Sequence, residues 1–239
     1  MSDRKHPLKV LLVLTYYRPH TSGLTIYAER LARGLAARGH EVTILTSRFD
    51  RRLPARETRE GVTIVRAPVL FRISKGVIMP TFGLLAWKYV RWADVLSLHL
   101  PQFDAAGVAL RGRLLHKPTL LTYHCDLKLP PGLFNRLVNA TVRVMNNLAG
   151  TFSHGVVAYT EDFAQHSPFL QRFAEKRHII PPPVEMPEMT KSGIAAFAKM
   201  YNPDDQHPVI GMAARLAAEK GIEVLLDAMP RILEQYPDA

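Results

Sequence analysis

The sequence predicts a doubly wound α/β protein with a parallel sheet, and three observations support this fold class. Short apolar runs of strand length alternate with longer segments of helical periodicity along most of the chain. The strand-like runs are continuously apolar, as expected for strands that are buried on both faces. Strands separated by helices over this length indicate successive βαβ units, which form a parallel sheet covered by helices.

The first βαβ unit begins close to the N-terminus. Its first strand is the apolar run KVLLVLT at residues 9–15, and a polar turn follows. Residues 24–38 carry apolar side chains at helical spacing on one stripe, and Gly39 follows as a C-cap. The second strand, VTILT at 42–46, completes the unit, whose crossover should be right-handed.

The same alternation continues to Ile180. Further strands are predicted at residues 62–66, 95–99, 118–122 and 155–158, and helices at 82–92, 105–115 and 133–148. Pro181, Pro182 and Pro183 then interrupt the pattern, because they fix three φ angles and remove three amide donors. A short helix near residues 194–201 is expected after them.

We predict a first α/β domain at residues 1–185, a hinge at 186–207 and the beginning of a second α/β domain at 208–239. The second domain would contain one strand, at 209–213, and one helix, at 222–236. One strand and one helix cannot bury the apolar stripe of that helix without neighbouring strands. We therefore expect a truncated chain whose second domain is its least stable part, and a first domain that folds on its own.

The sequence predicts a cytoplasmic protein. The best candidate for a membrane span, residues 77–92, is interrupted by Pro80, Lys88 and Arg91. The polar N-terminus contains no separate apolar signal region. The single cysteine, Cys125, cannot form an internal disulfide, which fits a reducing compartment.

The formal net charge of +10 requires a partner or a solvated surface. Nucleic acid is disfavoured, because the sequence lacks zinc-finger spacing, a basic heptad region and an interleaved aromatic and basic stretch. An anionic small molecule or a peripheral contact with the anionic inner face of the plasma membrane fits better, and a plain solvated surface stays open. The supporting arginines fall in one predicted loop: Arg48, Arg51, Arg52, Arg56 and Arg59.

The turn after the first strand is a candidate cleft, because doubly wound folds bind ligands at the carboxyl ends of their strands. It ends in Ser22 and Gly23 and lacks the G-x-G-x-x-G pattern of dinucleotide-binding proteins. Gly23 has no Cβ, so a phosphate or sugar oxygen can approach the backbone closely. The alternative is a plain helix N-terminus with a serine cap.

Polar residues also follow the predicted strand at 118–122. His124 and Asp126 are candidates for catalysis, because they can hydrogen-bond substrate hydroxyls or stabilise positive charge on a sugar ring. His99, which ends the neighbouring strand, is a weaker candidate for the same cleft. A metal site is disfavoured, because adjacent residues of one strand cannot surround a single ion. A structural histidine remains the alternative.

The loop before the last predicted helix contains Arg215 and Lys220. The guanidinium fork, the ammonium group and the helix N-terminus can converge on one anion, which makes this loop a candidate phosphate site. A solvated loop with two cations is the alternative.

Four segments, in this order, resemble glycosyltransferase family four, retaining enzymes of the GT-B fold. They are the Ser22-Gly23 turn leading into LARGLAARGHEVTILT, then TYHCD, IIPPPVE and ARLAAEKG. The resemblance implies two Rossmann-like domains that face each other across a cleft. The first would bind the acceptor and the second the nucleotide-diphosphate-sugar donor.

The resemblance also implies roles for the candidate residues. Arg215 and Lys220 would bind the donor diphosphate and neutralise charge as the nucleotide leaves, while His124 would lie near the transferred sugar. The leaving phosphate would help to deprotonate the acceptor on the same face, with no metal or other cofactor. Two features depart from the family: Ser22 replaces the first glycine of a Gly-Gly pair, and the chain ends before a pair of donor-binding glutamates.

The sequence therefore predicts a retaining hexosyltransferase that uses a nucleotide-diphosphate sugar and a lipid-linked or polysaccharide acceptor. This chain by itself is expected to lack most of the donor site and to be inactive. A nucleotide-sugar epimerase of the same architecture and a non-catalytic acceptor-binding module are the alternatives.

Overall fold

The computed structural model describes residues 6–73, 76–127, 131–186, 188–201, 209–214, 216 and 220–237. The chain divides into two compact units, Met1–Val184 and Glu185–Ala239. The first unit contains the sheet and the helices that cover it. The described residues of the second unit form two helices.

Strands and helices alternate along the first unit, as the sequence predicts. The strands are β1 (Lys9–Val13), β2 (Glu41–Arg48), β3 (Arg56–Arg59), β4 (Val62–Pro68), β5 (Phe71–Ile73), β6 (Gly76–Ile78), β7 (Val95–Leu100), β8 (Thr119–Tyr123), β9 (Gly155–Ala158) and β10 (Arg177–Ile179). The helices are α1 (Gly23–Ala37), α2 (Phe82–Trp92), α3 (Ala105–Leu114), α4 (Leu133–Phe152), α5 (Glu161–His166) and α6 (Pro168–Arg172), with a 3-10 turn at Ala174–Lys176.

The main sheet has the order β10-β9-β8-β7-β1-β2-β4-β3, and β5 pairs with β6 in a separate hairpin. Neighbouring strands of the main sheet are parallel, except that β3 runs antiparallel to β4. From central β1 the chain winds outwards one way through β2 and the other way through β7. Such a reversal of strand order marks the ligand-binding edge of doubly wound sheets. The predicted doubly wound α/β fold is confirmed.

Two hydrophobic clusters cover the two faces of the sheet. In β1, Leu11 and Val13 belong to one cluster, whereas Val10 and Leu12 belong to the other. This division follows from the two-residue period of a strand. Helix α1 packs on the face of Leu12, and helices α2, α3 and α4 contribute to the opposite cluster. Burial on both faces explains the continuous apolar runs.

The five arginines between residues 48 and 59 do not share one loop, so that prediction is wrong. Arg56 and Arg59 begin and end the edge strand β3, whose sequence RETR carries no apolar residue and pairs with β4. Arg48 ends β2, and its guanidinium donates to the carbonyl oxygen of Leu53 at 2.6 Å. Arg52 pairs with Asp50 at 2.7 Å.

The second unit contains α7 (Lys191–Tyr201) and α8 (Ile222–Gln235). Both helices were predicted, although α7 begins three residues earlier than expected. The predicted strand at 209–213 is wrong, because these residues are exposed and outside regular structure. A strand needs hydrogen-bonded neighbours, and none of the described residues in this unit forms one.

Across the part of the chain that the structure describes, no helix combines the length and apolar character needed to span a bilayer.

Candidate functional site

Two histidines meet at the carboxyl edge of the sheet. His99 lies in β7 and His124 directly follows β8, its parallel neighbour. The amide of His124 donates to the carbonyl oxygen of Leu100 at 3.0 Å, which continues the ladder one residue beyond β8. Nδ1 of His99 therefore lies 3.1 Å from Nε2 of His124.

Two tyrosines complete what we call the histidine–tyrosine cluster: His99, His124, Tyr27 and Tyr159. Tyr159 directly follows β9, and its hydroxyl is hydrogen-bonded to Nδ1 of His124. Tyr27 lies in the second turn of α1, and its ring centroid is 5.1 Å from that of His124 and 5.6 Å from that of His99. Three strand ends and one helix thus converge on His124.

The histidines of the cluster are neutral at pH 7. Burial lowers the pKa of His124 to about 4. Burial, with the neighbouring His124, also lowers the pKa of His99 well below its usual value. Burial raises the pKa of both tyrosine phenols, so they stay protonated. The cluster therefore supplies oriented hydrogen bonds without net charge.

The hydrogen bonds form a continuous chain through Ser97, His99, His124 and Tyr159, since Oγ of Ser97 lies 3.4 Å from Nε2 of His99. A neutral imidazole has one donor nitrogen and one acceptor nitrogen. Two arrangements satisfy every contact: all protons point from Tyr159 towards Ser97, or all point the other way. Both ring nitrogens of His124 are engaged in either case, and the hydroxyl of Tyr159 forms the outer end of the chain.

Asp126 is not part of this cluster. Its Oδ1 accepts hydrogen bonds from the hydroxyls of Tyr123 and Ser167, each at 3.0 Å. Tyr123 precedes His124 in an extended strand, so the two side chains point to opposite faces of the sheet. Asp126 therefore holds the loop after β8 against α6, on the face away from the histidines.

Ser22 and Gly23 form the N-terminus of α1. Oγ of Ser22 accepts from the amide of Thr25 at 3.2 Å, which confirms the serine cap. Gly23 is exposed, and a Cβ added there would meet nothing within 4 Å. Packing within the described residues does not require glycine, and the space beside this backbone is open to a ligand.

Two arginines hold the turn between β1 and α1. Arg18 pairs with Glu29 of α1 at 2.5 Å. The guanidinium of Arg66, a buried residue of β4, donates to the carbonyl oxygen of Arg18 at 3.1 Å. The helix N-terminus is therefore fixed to the sheet that carries the histidines.

Of the two predicted donor-binding cations, Arg215 lies outside the described residues. Lys220 is exposed and precedes Gly221, which has a φ of 63° and leads into α8. It thus stands at a helix N-terminus in the second unit, as the sequence predicts.

The sequence reasoning missed several polar residues at the carboxyl edge. Tyr159 follows a predicted strand as His124 does, so the same rule would have found it. Tyr27 lies within the apolar stripe predicted at residues 24–38, which gave it no separate role. After β7, Gln102 is 2% exposed, and neither polar atom of its amide has a hydrogen-bond partner in the part of the chain that the structure describes. Burial raises the pKa of Asp104, in the same loop, to about 6.

The residues of the site lie in a segment that matches a known protein family. A family model described as Glycosyltransferase Family 4 matches residues 21–186. The chain belongs to this family. The matched segment begins at the cap of α1 and includes all four residues of the histidine–tyrosine cluster.

One curated relative and two solved structures are similar to this chain. An uncharacterized glycosyltransferase of Methanocaldococcus jannaschii is 25% identical over 254 residues, which cover 96% of this chain and 61% of the relative. HepE of Anabaena, solved in complex with UDP, superposes with a TM-score of 0.66 at 16% identity, over 94% of this chain and 58% of HepE. Sucrose-phosphate synthase of Thermosynechococcus elongatus gives a TM-score of 0.59 at 18% identity, over 94% of this chain and 60% of the synthase. The chain thus spans about three fifths of the length of the proteins it matches.

Proposed function

We propose that the protein transfers a hexose from a nucleotide-diphosphate sugar to a lipid-linked or polysaccharide acceptor, with retention of anomeric configuration. The observation that carries the proposal is the neutral hydrogen-bonded chain ending at Tyr159, at the ligand-binding edge of a Glycosyltransferase Family 4 sheet. HepE was also solved with UDP and glucose, which supports a nucleotide-linked hexose as the donor.

In the proposed reaction, the bond between the anomeric carbon and the β-phosphate oxygen breaks, and an acceptor oxygen bonds to that carbon on the same face. The acceptor proton passes to the leaving phosphate. Lys220 and Arg215 neutralise the charge that develops on the diphosphate. Tyr159 orients the sugar by hydrogen bonds, and His124 holds the hydroxyl of Tyr159 in place. Because its imidazole is neutral, His124 does not repel the positive charge that builds on the sugar ring.

The acceptor would lie beside the exposed N-terminus of α1. Gly23 leaves room there for a sugar hydroxyl to reach the backbone amides. Ser22 already uses its hydroxyl as a cap, so its contribution to binding comes from the backbone.

The experiment measures transfer from UDP-glucose by the full gene product, with the product's anomeric configuration read by NMR. Lys220→Ala should lower kcat/KM by about 10²- to 10³-fold, because a preorganised charge on the leaving group is lost. Lys199→Ala, in exposed α7, is the matched control and should leave turnover unchanged.

Other outcomes have definite meanings. Unchanged turnover in Lys220→Ala would remove the diphosphate assignment. An epimerised nucleotide sugar formed without acceptor would identify an epimerase instead, and acceptor binding without any turnover would identify a binding module. The cytoplasmic location and the contact with an anionic membrane stay predictions, which cell fractionation can test.

A further inference from the structure

A pocket of about 400 Å³ lies on the opposite face of the sheet from the histidine–tyrosine cluster. It is bounded by α4, by α6 and by the end of β8 with the residues that follow it. Tyr123 lines the pocket, whereas the next residue, His124, belongs to the cluster. Because adjacent side chains of a strand point to opposite faces, the pocket and the cluster are separate sites.

Helix α4 presents a polar stripe to this pocket. Asn139, Arg143 and Asn146 recur at spacings of three and four residues, so they share one side of the helix. Asn146 is only 4% exposed, and its Oδ1 accepts no hydrogen bond from any described residue. Oδ1 of Asn139 is likewise buried, and none of the residues that the structure describes donates to it. Two unsatisfied acceptors at one pocket indicate a ligand that brings hydrogen-bond donors.

The same pocket carries two cations that have no partner among the described residues. Arg143 and Arg172 both line it, and neither guanidinium forms an ion pair or hydrogen bond with any described residue. The acid in the lining is Asp126, whose Oδ1 already accepts from Tyr123 and Ser167. The lining therefore carries a net positive charge, and guanidinium groups favour phosphate because the two geometries match.

We propose that this pocket binds a phosphate ester that carries hydroxyl groups, such as a sugar phosphate. The phosphate lies between Arg143 and Arg172, and the hydroxyls donate to Asn139 and Asn146. The volume is within the range of small-molecule sites. This site is additional to the proposed sugar transfer and does not depend on it.

Calorimetry on the 239-residue chain tests the proposal, with glucose 6-phosphate as the probe and inorganic phosphate and glucose as comparisons. Glucose 6-phosphate should bind at least about 10-fold more tightly than inorganic phosphate or glucose, because its phosphate contacts the arginines and its hydroxyls contact the asparagines. Arg143→Gln and Arg172→Gln should each weaken binding by about 10-fold or more. Arg136→Gln is the matched control, since Arg136 is exposed on the same helix but does not line the pocket.

Asn146→Asp supplies a second test, because it places a negative charge in the pocket at almost unchanged volume and should abolish binding. Circular dichroism checks that each variant remains folded. Sedimentation with phosphatidylglycerol vesicles, against phosphatidylcholine vesicles, separates a lipid headgroup from a free sugar phosphate as the source of the ester. The proposal is overturned if neither glucose 6-phosphate nor phosphatidylglycerol vesicles bind. It is also overturned if Arg143→Gln and Arg136→Gln bind the ligand equally well.

Discussion

His124 shows what a single residue can and cannot reveal in the sequence. Its position after a buried strand was enough to predict that it faces the ligand-binding edge. His99 was predicted for the same cleft, and the same rule applies to Tyr159. The contacts that join these residues and Tyr27 to His124 were not predictable, because they form only when the sheet and α1 are assembled. Asp126, two residues away, was grouped with it, but it belongs to the opposite face.

The neutral state of His124 predicts a pH dependence of stability. Its pKa is about 4 when folded, and an unfolded histidine titrates near pH 6.5, so the unfolded chain binds more protons between these values. Its contribution is fully present above about pH 6.5 and falls by about 1.4 kcal/mol per unit as the pH decreases through this window. Urea unfolding at pH 5.0–7.5 measures the slope.

The variant must be compared with the unchanged protein, because Asp104 titrates in the same window with the opposite sign. His124→Gln should remove the contribution of His124 to the slope, while the contribution of Asp104 stays. Identical slopes for the variant and the unchanged protein would contradict a buried, neutral His124.

At the scale of elements, strands that follow hydrophobic patterns were predictable and strands that depend on a neighbour were not. β1 and β2 each contain a continuous buried run and lie close to their predicted positions. β3 was missed because its residues RETR are polar, and it exists by pairing with β4 at the sheet edge. The strand predicted at 209–213 is the opposite case, because this apolar run has no neighbouring strand among the described residues and forms no strand itself.

Close packing between elements gives a second prediction. Gly150 lies in α4, where a Cβ would overlap the ring of Phe173. Gly150→Ala should therefore lower the free energy of unfolding by about 1–3 kcal/mol, because Phe173 is itself buried and cannot move away freely. Chemical denaturation measures the change.

Gly34→Ala is the matched control, since Gly34 lies within α1 and the nearest atom to an added Cβ there is 3.8 Å away. Alanine favours a helix over glycine by about 1 kcal/mol, so this variant should be neutral or slightly stabilised. A destabilisation as large as that of Gly150→Ala would argue against tight packing of α4 on Phe173.

At the scale of the whole molecule, the order of four motifs was enough to predict the family, although no one of them is specific. Among the described residues, the motifs include the N-terminus of α1, the end of β8 and the proline segment, where backbone and ligand requirements restrict the residue type. The pocket beneath α4 gave no such signal, because its residues come from α4, α6 and the end of β8 and look like ordinary surface residues in the sequence.

The two units should differ in local stability. α1 and α8 have similar lengths, 15 and 14 residues, but α1 contains buried residues and α8 has none. Helices in proteins are stabilised mainly by packing of the apolar face, so amides of α8 should exchange with solvent much faster than those of α1. Hydrogen exchange measured by mass spectrometry tests this. Equal protection of the two helices would mean that α8 is packed in solution.

The hydrogen-bonded chain from Ser97 to Tyr159 couples the positions of protons inside the sheet to the hydrogen bond that a ligand forms with Tyr159. When the tyrosine proton points inwards, its oxygen offers lone pairs to a bound donor. When the protons run the other way, Tyr159 offers its own proton to a bound acceptor. A bound donor or a bound acceptor should therefore select one tautomer of His99 and His124 together. The nitrogen chemical shifts of His99 would then show whether the ligand donates to Tyr159 or accepts from it, although His99 does not contact the ligand.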